Sequence, residues 1–103
     1  MTPHIQELGD AIHHLHGGTA THLESVPVKE TFQGQTVWDG VVEVFHLKGH
    51  PKTDRVYVWI HHTDDPKHPK RHVTVLHIPP VVSPQTAVQA AIVQEAKSRA
   101  RVN

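Results

Sequence analysis

A chain of 103 residues is one domain's worth of polypeptide, able to bury roughly 65% of its unfolded surface around a single core. It has no cysteine, which excludes a disulfide framework and a thiolate nucleophile; ten Lys and Arg balance ten Asp and Glu, which excludes a global field for phosphate backbones or anionic lipid. No apolar run approaches the ~20 residues of a membrane span, so a soluble, cytoplasmic protein without a membrane partner is expected.

Thr2 and Pro3 read as cap and first residue of a helix, with Ile5, Leu8, Ile12 and Leu15 along one stripe until Gly17-Gly18 stops it. From Thr21 to Phe32 the β-branched content rises, and "FQGQT" turns the chain into a second strand over Thr36 to Leu47. "KGHPKTD" and "TDDPKHPK" then flank a third strand over Arg55 to His62, and a fourth runs from His72 to Ile78 until Pro79-Pro80 ends it. Ser83-Pro84 repeats the cap signal and opens an alanine-rich helix through about Arg99, where Glu95 and Arg99 stand at i, i+4. The connections are too short for parallel crossovers. The expected fold is therefore a single α+β domain over residues 1–103: helix, four-stranded antiparallel meander, helix.

Pairing Phe32 with Thr36, Leu47 with Arg55 and Thr63 with Arg71 lets the two faces be followed across the sheet. One face then gathers Val26, Val28, Val42, Val44, Val56, Val58, Ile60 and Leu76, and is expected to receive both helices in a two-layer arrangement. The other carries Leu23, Ser25, Glu43, Phe45, Tyr57, Trp59, His61 and His77, with Lys29 opposite Asp39. Left uncovered, so aromatic a face calls for a partner, which makes these eight residues the expected interface of a homodimer or the wall of a small-ligand pocket. Glu43, beside Ser25 and apolar neighbours, is the most interesting carboxylate.

Twelve histidines are the compositional anomaly, and with an ordinary pKa near ~6.5 they gain charge together just below neutrality. Metal ions need three or four ligands within ~2.3 Å of one point. His61 and His77 share a face but stand four residues apart along it, roughly 13 Å, so they do not chelate together. His62, His68 and His72, or His22, His46 and His50, form weak sets at strand ends. No HExxH or related spacing is present, and no metal or other cofactor is expected. His16 reads as a packing residue at the edge of the first helix's stripe. A small enzyme using Glu43 with His61 or His77 as acid and base is the alternative function; no GxSxG turn supports a serine nucleophile.

"ATHLESVPVKETFQGQTVWDGVVEVF", then "GHP" and "VLHIPPVVSP", resembles an uncharacterised family of small bacterial proteins, some encoded in integron gene cassettes. That resemblance spans about Ala20 to Ala96 and implies neither an activity nor a catalytic residue. The element order is also similar to the double-stranded RNA-binding domain, but there are four strands here and "SPQTAVQAA" replaces a basic helix start. Nucleic acid is the third alternative, through Lys48, His50, Lys52 and Arg55 or through Lys67, Lys70 and Arg71. The expected function is a binding or interaction module.

Overall fold

The computed structural model describes residues 3–62, 66, 67 and 69–101. The elements are α1 (Pro3–His16), β1 (Thr19–Phe32), β2 (Gln35–Lys48), β3 (Arg55–His62), β4 (Lys70–Leu76) and α2 (Pro84–Arg101). The strands form one antiparallel meander in the order β1-β2-β3-β4. The expected fold class and element order are those observed. The cap expected at Thr2 lies outside the described residues, as do His68 and the side chains of His62 and Arg99.

Local chemistry accounts for most of the boundaries. Gly17 ends α1 by donating to the His13 carbonyl at 2.9 Å. Gly18 follows at φ 74°, where a Cβ would sit only 2.5 Å from the Lys48 carbonyl oxygen, so only glycine lets the chain pass. At the other helix, Ser83 caps α2 by accepting from the Thr86 amide at 3.2 Å, while Thr86 Oγ1 accepts from the Ser83 amide at 2.9 Å. A turn in which the Ile78 amide donates to the Leu76 carbonyl ends β4 two residues earlier than expected.

The two helices lie on opposite faces of the sheet, which corrects the two-layer expectation. Ile5, Leu8 and Ile12 of α1 pack on Phe45, Leu47, Val56 and Val58. Ala87 and Val88 of α2 pack with Val28, Val42, Val44, Tyr57 and Trp59, joined by Ala90, Ala91 and Ile92. Leu15, expected on the apolar stripe, is exposed.

The cause of the difference is one residue in one turn. Between β1 and β2 the expected register holds through the middle of the hairpin, with Lys29 opposite Asp39 and Ser25 opposite Glu43. Between β2 and β3, however, Arg55 pairs with His46 rather than Leu47, and the Leu47 amide donates to Asp54 at 2.7 Å. The loop is one residue shorter than assumed, and side chains alternate, so β3 turns over relative to β2. Val56, Val58, Ile60 and Leu76 leave the other valines and go beneath α1; Tyr57 and Trp59 go beneath α2. The β3–β4 pairing differs from expectation by two residues, His72 facing Ile60 and Lys70 facing His62, which leaves the faces unchanged.

Because the sheet separates the two cores, Leu8→Ala is expected to cost about 3 kcal/mol and Val88→Ala about 2 kcal/mol, and in the double variant these add within about 0.5 kcal/mol. Urea denaturation measures all three; a coupling above 1 kcal/mol would put both helices in one core.

Candidate functional site

The expected site residues are divided by the sheet. Ser25, Glu43 and Phe45 face α1, Tyr57, Trp59, His61 and His77 lie on the α2 side, and Leu23 is exposed at the bulge between His22 and Glu24. A single aromatic interface made of all eight does not form.

On the α1 side the bulge swings His22 onto the sheet face, opposite Phe45 and edge-on to its ring at 5.3 Å. His22 Nε2 then lies 2.9 Å from Glu43 Oε1, the Ser25 hydroxyl donates to the same oxygen, and His4 Nε2 approaches Glu43 Oε2 at 3.9 Å. Glu43 is buried, and its Oε1 is satisfied by His22 and Ser25 of its own chain. A serine–histidine–acid relay needs one imidazole nitrogen on the serine and the other on the acid. Here His22 turns Nε2 to both, at 3.5 Å from Ser25 Oγ, and the serine proton goes directly to the carboxylate. The cluster is a polar clip joining β1, β2 and the start of α1. The alternative pairing of Glu43 with His61 or His77 is ruled out, since those imidazoles lie across the sheet.

On the α2 side, Tyr57 and His77 share a hydrogen bond of 2.6 Å between the phenol and Nδ1. Burial pushes the Tyr57 pKa above its ordinary value, against the opposing pull of Arg55, so the phenol is neutral at physiological pH. Further along, the β2–β3 ladder stops at Glu43–Val58 while β1–β2 and β3–β4 continue, so the sheet opens into two arms. Trp38 and Trp59 meet edge to face across the opening at 5.6 Å, and α2 crosses it. This leaves a cleft of about 320 Å³ lined by both indoles, His61, Arg71, Ile92 and Glu95, among others. Two of the expected residues, Trp59 and His61, together border this space.

No family model, curated protein or solved structure matches this chain. Function is therefore argued from geometry. No helix is long and apolar enough to cross a membrane among the described residues. Of the two histidine sets, one includes His68 and the side chain of His62, which lie outside the described residues; His22, His46 and His50 do not gather on one face. His22 pairs with Phe45 and His46 with Thr21, on opposite faces, and His72 faces Ile60 rather than His62. Among the described residues no group of three His, Asp or Glu side chains is arranged to hold a metal ion.

Sequence reasoning missed Trp38 and Arg71 as lining residues. The alternation Trp38, Gly40, Val42, Val44 puts Trp38 on the valine face and could have found it; the cleft itself had no local signal.

His16 accepts or donates one 2.7 Å hydrogen bond with Thr74 Oγ1 and stands 6.4 Å, centroid to centroid, from His50. Burial, and secondarily His50, lowers its pKa below the ordinary 6.5. The unfolded chain therefore binds this proton more readily than the fold does. The resulting stability is present above pH 6.5 and is lost as pH falls from there through the lower folded value. His16→Gln keeps a polar partner for Thr74 and removes the titration. Its thermal midpoint should fall less steeply than the wild type's between about pH 8 and about pH 5.5, and equal slopes would contradict the assignment.

Proposed function

We propose that this chain is a small cytoplasmic interaction module whose first partner is a second copy of itself, joined through the free edge of β4. The observation that carries the reading is the difference between the two sheet edges. The outer strand β1 is interrupted by bulges at His22/Glu24 and Glu30/Thr31 and contains Pro27, the devices that discourage edge pairing. β4 has neither bulge nor proline.

Its hydrogen-bonding pattern follows from one contact. The His77 amide donates inward to the Arg55 carbonyl at 3.0 Å, so odd-numbered residues of β4 bond to β3 and even-numbered ones point away. The Leu76 carbonyl is taken by Ile78, which leaves the amides and carbonyls of His72 and Thr74 turned outward. A two-fold axis through Val73 sets His72 of each copy against Thr74 of the other and closes four backbone hydrogen bonds. In that register Arg71 faces Val75 of the second copy, so the basic Lys70-Arg71 ends lie roughly 13 Å apart, beyond the ~8 Å screening length. Beside the edge on the α2 side runs a trough of mixed lining, with Val73, Val75, Ala90 and Ala91 beside the polar Arg71, Thr74, Gln94 and Glu95, which the second copy would cover. Tyr57 and Trp59, the aromatic centre of the interface expected from sequence, lie beneath α2, and the reading places the contact at the β4 edge instead.

Light scattering tests this. At high micromolar concentration the wild type should have twice the chain mass. His72→Pro removes an outward amide without breaking the β3–β4 ladder and should remain monomeric with an unchanged far-ultraviolet spectrum. Amides of His72 and Thr74 should be protected from hydrogen exchange only in the dimer. A monomeric wild type, or a dimer in which these two amides exchange freely, would overturn the proposal.

A further inference from the structure

We propose that the cleft between the two arms of the sheet is a binding site for a planar aromatic carboxylate. The cleft exists because β2 and β3 part after Glu43–Val58, and its floor is the Trp38–Trp59 pair, inclined at 73°. A volume of about 320 Å³ lies at the small end of ligand sites and admits one aromatic ring with a short acid arm. Ala91 and Ile92 of α2 form the opposite wall, so the ring is held between indole and aliphatic surfaces, the setting in which flat aromatic ligands gain most from stacking.

The charges select the ligand's other end. His61 and Arg71 stand directly opposite each other on adjacent strands and both line the cleft. Arg71 enters no ion pair among the described residues, whereas Glu95, on the α2 wall, already has a partner. The uncommitted charge in the lining is therefore a guanidinium, whose planar fork grips a carboxylate through two parallel N–H donors. His61, one strand away, is placed to add a third donor. An aromatic amine is disfavoured by the same guanidinium. Inorganic phosphate alone leaves the apolar floor unfilled.

The test uses the fact that Trp38 and Trp59 are the chain's only tryptophans, so two indole N–H resonances report the site in the intact protein. Titration with trans-cinnamate should move both resonances saturably, with a Kd of about 1 mM or below. Cinnamamide, which keeps the ring and loses the charge, should bind about tenfold more weakly, as should cinnamate to Arg71→Gln, with partial recovery in Arg71→Lys. Both Arg71 variants alter an exposed side chain and should keep the wild-type fold, checked by the backbone amide spectrum. Indole resonances that stay put, equal binding of amide and acid, an Arg71→Gln affinity equal to wild type, or the same response to inorganic phosphate would each overturn the proposal.

Discussion

The fold depends on how β3 meets β2. Pairing Val44 with Tyr57 places Tyr57 and Trp59 among the valines of the β1–β2 hairpin and sends Val56, Val58 and Phe45 to the other side. Each sheet face then carries its own apolar cluster, and each needs a helix. Leu8 and Ile12 meet the first requirement; Ala87 and Val88, small enough to bring α2 close to the indoles and to Tyr57, meet the second. A sheet covered on both faces has only its edges and the gaps between its strands left for binding. Both proposals for function sit in those places.

The histidines find a shared use in this arrangement. His16 with Thr74 and His72 with Glu7 fasten α1 to β4; His22 with Glu43 fastens β1 to β2; His77 with Tyr57 fastens the end of β4 to β3. Individually such contacts contribute modestly, on the order of 1 kcal/mol where partly buried and less where exposed. Their value is directional, because each ties a polar group of one layer to another at a fixed point. The imidazoles of these contacts are spread over both faces of the sheet.

Much of the architecture was legible in the residues. Caps at Ser83-Pro84, glycine stops at Gly17-Gly18 and the alternation of β1 and β2 mark the elements, and the Lys29–Asp39 pair fixes the first hairpin's register. The layering was not legible, for a physical reason. "KGHPKTD" offers two closures differing by a single residue, and aliphatic and aromatic positions are both apolar enough to be buried, so composition cannot choose which set joins Val42 and Val44. The positive backbone angle at Gly49 and the Leu47–Asp54 contact choose the shorter loop. The error carried directly into the expected site. Glu43, Ser25 and Phe45 were grouped with Tyr57, Trp59 and His61 by a register that is one residue off, and the bulge that brings His22 to Glu43 has no sequence mark beyond the polar residues around it. Trp59 and His61 survive as neighbours because they lie on one strand.

The β2–β3 register is also the most directly measurable feature. Since the Leu47 amide bonds to Asp54, Val44 and Tyr57 form a non-hydrogen-bonded pair, whose Cα atoms lie about 4.5 Å apart. A nuclear Overhauser spectrum should therefore show a strong cross-peak between the Hα protons of Val44 and Tyr57. If that cross-peak instead joins Val44 to Val58, β3 is turned over, the aromatic residues leave α2, and the sheet is not covered in the way described.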